Sequence, residues 1–528
     1  MLHTKRLEYY KRELNYLLTQ GKEFADKYPH IADALGINTD DYSDPDLKKL
    51  IQSFALLSSK LNYKIDEQFD HISSQLLELL YPHFAHTIPP FSILHYESSK
   101  MHQLNNTLIP ADSVLSHKDV NVKTCFDLTL SDSKITHVSI ESGADYNLAA
   151  TYVLNLTITN TKPSMNFYIN LDYEHSFTLF RLLFEQNAKI YIKTDSGIKL
   201  TNAFIKPANI ELSNSLYKLN DYSNTQLELV QSFMMFYQHF MFIQIKGLEA
   251  CEQVQILITL SNNANTSYIQ LDSNSLLSNC VSCINLFDHF TVPIAIDHTV
   301  SKYLVESINH NWAVHSLIDG KTYGQTVVNY SSYMNNDDQQ QNHYVTERFE
   351  EQIYVSLQHS TDSLSDTTLI LNAKHFNSNI SNIKPNSSFI PKQTIASLKC
   401  SNLIKFTTAV SNVETNALSI IKLLHTHMLD AFHNFDQNYL KQLLMLFNNV
   451  NKCHVDIERF ITKINVKKGA KYHKIGQIWC PLPMLNVDIF INSAYNDQSF
   501  VFGYIVGQTF KRLAPMNLCV EFNILDNL

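Results

Sequence analysis

The strongest constraint on this chain is a series of apolar stripes within its first ninety residues. Leu7, Tyr10, Leu14, Leu17, Gly21, Phe24 and Tyr28 recur at steps of three and four, the spacing that keeps one side of a helix apolar. A second pattern opens with Asp44 as N-cap and Pro45 at the first helical position, then runs through Leu47, Leu50, Phe54, Leu57, Leu61 and Ile65. A third, shorter helix is expected over Ile72, Leu76, Leu79 and Leu80, stopping at Pro82. Such stripes must be covered, either by one another in a closed bundle or by another chain. Tyr9, Tyr10 and Tyr16 put aromatic side chains around much of the first helix, as a bundle shared between chains requires.

Beyond Ile88-Pro89-Pro90 the pattern changes to short alternating runs, among them Ala150 to Ile158 and Lys189 to Ile192, which read as strands. One helix is expected to interrupt them, with Ser176 as N-cap before Phe177, Phe180, Leu183 and Phe184. Near the end, two helical stripes run from Leu418 to Met428 and from Leu440 to Phe447. A strand over 486–491, a helix over 500–513 with Gly503 and Gly507 on a close-packing face, and a strand over 518–524 follow. The fold class is therefore α+β and multi-domain. The expected division is a helical region over 1–88, β-rich domains over 89–275 and 276–415, and an α+β domain over 416–528. Asn335 to His343 has no apolar run to bury and reads as a surface loop.

Composition narrows the function classes. A net charge of -9 with 17% charged residues lacks the basic excess of a nucleic-acid-binding chain. With 11 glycines in 528 residues, turns have to use Asn, Asp and Ser. The most apolar tract, Phe233 to Ile245, is too short and too interrupted for a membrane helix and reads as a buried turn plus strand. No apolar leader core follows Met1, so a cytoplasmic location with eight free thiols is expected.

The candidates for chemistry are few. Cys280 and Cys283 form an isolated CxxC with no second pair at zinc spacing, and read as core thiols. His425, His427 and His433 lack the glutamate and the i, i+4 spacing of a zinc-protease helix. Asp297-His298 is an acid–base couple without a nucleophile, since no GxSxG, P-loop or GxGxxG occurs. His83 and His86 read as structural groups closing the third helix. No cofactor, metal or catalytic residue is expected, and a β-rich recognition module, carbohydrate-binding or adhesin-like, is the alternative class.

The runs EYYKRELNYLLTQGKEFADKYPHIADALGI from Glu8, DPDLKKLIQSFALLSSKLNYKIDEQF from Asp44 and LLELLYPHFAHTIPPFSI from Leu76 resemble the N-terminus of the TssF (VasA/ImpG) family of type VI secretion baseplate subunits. The block from Val281 to Phe287, with Pro293, Ile294, Asp297, His298, Tyr303 and Val314-His315-Ser316, and the α+β end of the chain resemble that family too. The resemblance implies a structural wedge subunit in which two copies clasp one TssG. TssK and TssE join the same wedge, around the spike and hub, in a cytoplasmic complex docked at the inner membrane. Neither nucleic acid nor direct membrane insertion is implied. Pro110-Ala111-Asp112 departs from the family where glycine is usual after the proline, Ala295 stands where a basic residue is usual, and a basic tail is missing after Leu528. Within this resemblance, Tyr10, Leu14, Leu17, Phe24, Phe54, Leu57 and Leu61 are the expected partner interface.

Overall fold

The structure, a computed structural model, describes residues 2–526 apart from 35–44, 81–83, 85, 99, 149, 187, 195–196, 211–215, 217–227, 261–268, 297–299, 324–327, 333–341, 350–351, 359–366, 393–397, 411–420, 422–459, 476–477, 493–495 and 514–517. The chain forms two compact units, one of Met1–Leu77 with Asn416–Ile421, the other of Glu78–Thr415 with Lys422–Leu528.

In the first unit, α1 spans Leu2–Lys27, α2 spans Pro29–Ala34 and α3 spans Pro45–Leu80. The start at Pro45 is as expected, but the second and third helices of the sequence reading are one continuous helix of 36 residues. The mostly polar tract Asp66 to His71, with Phe69 its one apolar residue, interrupts the apolar stripe without containing Pro or Gly, so nothing in it breaks the backbone ladder. α1 meets α3 through polar and aromatic contacts. Tyr9 Oη donates to Asp66 Oδ2 at 2.7 Å, Ser58 Oγ donates to Glu13 Oε2 at 3.0 Å, and the Tyr9 and Tyr63 rings meet edge to face at 5.6 Å.

The second unit is built on a closed barrel. Its strand order is Phe91–Glu97, Cys280–Ile284, Val120–Thr124, Val114–His117, Ser388–Pro391 and Lys399–Asn402. Leu94, Leu115, Val122, Val281, Cys283, Phe389 and Cys400 fill it. The barrel thus takes strands from both sides of the boundary expected at 275. Cys280 opposite His95 and Ile284 opposite Phe91 fix the register of distant segments, a long-range pairing that alternation within one segment cannot reveal. Both thiols of Cys280 and Cys283 are buried, and burial pushes each well above its ordinary pKa.

A five-stranded sheet around Gln253–Thr259 and Tyr152–Thr159 and a four-stranded sheet around Phe242–Lys246 and Ser164–Ile169 follow, with α4 (Tyr173–Phe184) and α5 (Glu228–Met235). α4 starts four residues earlier than expected. Its cap is Asp172, whose Oδ1 accepts from the His175 N–H at 3.1 Å, while Ser176 lies inside the helix and donates to the Asp172 carbonyl at 2.6 Å. The apolar tract at 233–245 holds the end of α5, a 3-10 turn over Tyr237–Phe240 and the strand Phe242–Lys246. An eight-stranded sheet centred on Trp312–Tyr323 and Thr367–Asn377 buries Tyr330, Tyr344, Val355, Leu369 and Leu371. Finally, Ile461–Ile475, Ile478–Ile491 and Cys519–Asp526 form a three-stranded sheet with α6 (Asn496–Leu513).

The scarcity of glycine leaves its mark on the turns. Among the described residues, eight non-glycine positions have positive φ, and six of them are asparagine, with Asp112 and Lys118 the other two. Asn and Asp tolerate the left-handed region better than other side chains.

Candidate functional site

α3 has its amphipathicity inverted. Between Leu50 and Ile65 its buried positions are small, Ala55 at 0% and Ser59 at 4% exposure, whereas Phe54, Leu57 and Leu61 are 59%, 66% and 62% exposed. Leu50, Ile65 and Ile72 continue the exposed stripe along the helix. A helix that belonged to a self-contained domain would turn these side chains inward, and a contiguous apolar surface of this kind marks an interaction site. Tyr10, Leu14, Leu17 and Phe24 on α1 are half-buried instead. The structure therefore divides the sequence-predicted interface into an exposed set on α3 and a partly covered set on α1. A groove of about 580 Å³ between the two helices is lined by Arg6, Leu7, Tyr10, Lys49, Gln52, Ser53 and Leu56.

In the second unit, buried ionisable groups pair with one another. His86 Nε2 faces Glu78 Oε1 at 3.3 Å, and an Arg348 Nη lies 2.6 Å from His86 Nδ1, which can only accept from a guanidinium. The same guanidinium donates to the His315 carbonyl, and the His86 and His315 rings stack at 5.1 Å. Burial raises the pKa of Glu78, an effect that Arg348 partly offsets, and burial lowers that of Arg348 against the opposing pull of Glu78. This cluster contains no nucleophile, and its groups serve as partners for each other. His86, read from sequence as a group closing the third helix, contacts Glu78 eight residues before it and, from two distant segments, His315 and Arg348. Sequence reading named His86 but missed Arg348, because no local pattern distinguishes one arginine in a strand.

A second buried cation, Arg181 on α4, is 2% exposed and carries carboxylates at 2.8 Å from Glu185, 3.3 Å from Asp497 and 3.4 Å from Asp526. Burial opposes its charge, and hydrogen bonding to Glu185 leads the effects that hold its pKa above the ordinary value. Asp297, His298, His83 and the histidines at 425, 427 and 433 lie outside the described residues. Among the described residues no group of three His, Cys, Asp or Glu side chains is placed to hold a metal, and no helix is long and apolar enough to cross a membrane.

Among the described residues, a multi-domain α+β chain pairs the buried arginines Arg181 and Arg348 with carboxylates and leaves an apolar stripe of a long helix exposed, as a subunit of an assembly would. The chain belongs to the type VI secretion system TssF family, whose profile matches residues 2–526. It is 30% identical over 93 residues to the type VI secretion system component TssF1 of Pseudomonas aeruginosa, a match that spans 18% of this chain and 15% of that protein. Its fold is similar to a chain in the cryo-electron microscopy structure of the type VI secretion system TssK-TssF-TssG baseplate subcomplex. There the TM-score is 0.70 at 16% identity, covering 90% of this chain and 96% of that one. A chain in a structure of the baseplate complex from the type VI secretion system gives a TM-score of 0.58 at 16% identity, covering 99% and 97%.

Proposed function

We propose that this chain is a non-enzymatic structural subunit of a type VI secretion baseplate wedge, and that the exposed side of α3 is where a TssG-like partner helix docks. The observation that carries this reading is the outward stripe of Leu50, Phe54, Leu57 and Leu61 on a stretch of helix whose buried positions, Ala55 and Ser59, are small. Burying each of these side chains contributes about 1.5–3 kcal/mol, enough in sum to hold an obligate interface. Family membership and the likeness to chains of solved baseplate assemblies support the same conclusion. In this reading the interface expected from sequence narrows to Phe54, Leu57 and Leu61 on α3, while Tyr10, Leu14, Leu17 and Phe24 serve the packing of α1. Two copies of the chain join one TssG-like subunit, with TssK-like and TssE-like subunits in the same wedge. Wedges surround the spike and hub in a complex docked at the inner membrane.

The test is co-expression of the full chain with the TssG-like and TssK-like proteins, followed by size-exclusion chromatography. Leu57→Asp combined with Leu61→Asp should leave the far-ultraviolet circular dichroism and urea midpoint of the isolated chain unchanged, and should abolish co-elution. Normal assembly of the double variant would overturn the assignment.

A further inference from the structure

The last sheet of the chain ends in a projection. Its first two strands pair along their whole length, out to Ile475 opposite Ile478. The third strand accompanies only Met484 to Ile491. Residues 478–483 and their partners therefore extend about 20 Å beyond the last three-stranded rung, as a ribbon of two strands.

The two faces of this ribbon differ. Near its root, Ile489 and Ile491 lie beneath α6, where a Cβ added to Gly503 would stand 3.3 Å from the Ile491 side chain. Leu485 and Val487 share that face and are buried. Alternation carries the same face outward to Pro483 and Pro481, and the register adds Ala470 opposite Pro483 and Tyr472 opposite Pro481. All four are exposed, Tyr472 at 65%. An apolar face that is covered at its root is thus exposed at these four positions beyond the third strand, and an isolated two-stranded ribbon has little stability of its own.

Charge says what covers it. The strand Ile461–Ile475 contains Lys463, Lys467, Lys468, Lys471 and Lys474 and no carboxylate, in a chain of net charge -9. Lys467 and Lys471 reach Asp488 at 3.1 Å and Glu521 at 2.5 Å on the opposite face. Lys468 stands across from Leu485 on the bare face, the face on which Lys511 of α6 lies 4.7 Å from the Phe522 ring. A second copy of this strand is an unsuitable occupant, because it would set lysine against lysine. Pro481 and Pro483 lack the N–H that strand addition to their edge would need.

We propose that the bare face of this hairpin docks an acidic segment of another protein, with apolar side chains laid on Tyr472, Pro481 and Pro483 and carboxylates directed at Lys468 and Lys511. The occupant is distinct from whatever covers α3, so this proposal and the function above succeed or fail independently.

The test uses the full chain and a short fluorescent peptide with leucines at helical spacing and glutamates elsewhere, beside a lysine-for-glutamate counterpart and heparin. The glutamate peptide should bind, and raising salt from about 50 to 300 mM should weaken it roughly tenfold. Tyr472→Ser and Lys468→Glu should each weaken it at least about fivefold, with unchanged urea midpoints, whereas Lys193→Glu on the five-stranded sheet should change nothing. Equal binding of the lysine peptide, or no loss in either hairpin variant, would overturn the proposal. Heparin binding that Tyr472→Ser leaves intact, with no binding of the glutamate peptide, would overturn it too, in favour of a simple polyanion site.

Discussion

Arg181 Nη1 on α4 stands 3.3 Å from Asp497 Oδ1 in the first turn of α6, across 316 residues of sequence. The same carboxylate group accepts from Thr178 Oγ1 at 2.6 Å, and the other end of the guanidinium reaches Glu185 and, on the last strand, Asp526. One buried cation therefore ties a helix in the middle of the chain to both ends of its final α+β segment. Replacing it with alanine leaves three carboxylates facing each other without their counter-ion. Arg181→Ala should cost about 3 kcal/mol, read as a lower urea midpoint. Arg181→Lys should recover only part of this, because a single ammonium cannot serve three carboxylates in the geometry of the guanidinium fork.

The glycines of α6 make a graded test of close packing. A Cβ at Gly507 would lie 2.4 Å from Cδ2 of Phe522, and one at Gly503 only 3.3 Å from the nearest Ile491 methyl. Alanine is worth about 0.8–1 kcal/mol over glycine in a helix interior, while overpacking costs about 1–3 kcal/mol. The balance should leave Gly503→Ala close to neutral and make Gly507→Ala destabilising by about 1–2 kcal/mol. Thermal melts of the two variants side by side check the order, and equal melting temperatures would show that Phe522 moves aside freely.

These two positions show what the sequence makes legible. Gly503 and Gly507 repeat at helical spacing and announce a packing face without its partner. α3 was readable as apolar stripes, and the change to alternation after Pro90 located the start of the strands. What pairs with what was not readable. Cys280 belongs beside His95, and Arg181 beside Asp497, through contacts that exist only once segments hundreds of residues apart have met. The same limit hid Arg348 from the sequence and placed the cap of α4 at Ser176 rather than at Asp172, since both residues satisfy the local preference for an N-cap.

Asp488 gives the C-terminal sheet an acid-sensitive element. The side chain of Asn523 donates to its Oδ1 at 3.1 Å and Lys467 reaches its Oδ2 at 3.1 Å. The Asn523 hydrogen bond, followed by that from Lys467, holds the carboxyl below the usual aspartate range. A carboxyl with a folded-state pKa below its unfolded value contributes stability that is fully present above the unfolded pKa, about 4. That contribution is lost as pH falls through the folded pKa. Asp488→Asn should therefore lower stability by about 1 kcal/mol at neutral pH and by progressively less as the buffer is acidified below pH ~4. Urea titrations at a series of pH values would show the two curves converging. Parallel curves would mean that the carboxylate carries no pH-linked stability.

Asp112 occupies a left-handed conformation, φ 60°, two residues after Pro110. Its N–H donates to the Thr124 carbonyl at 2.9 Å, and the preceding Ala111 N–H donates to Asp127 Oδ1 at 2.7 Å. The turn is therefore held by its backbone, and what position 112 must supply is tolerance of positive φ. Glycine supplies it without a Cβ, aspartate at a small steric cost, and a β-branched residue only at about 1–2 kcal/mol. Asp112→Gly should leave the melting temperature within a degree or two of the parent, and Asp112→Val should lower it by several degrees. If valine were tolerated as well as glycine, the turn would have rearranged, and the strand pairing Val114 opposite Lys123 is where amide exchange would show it.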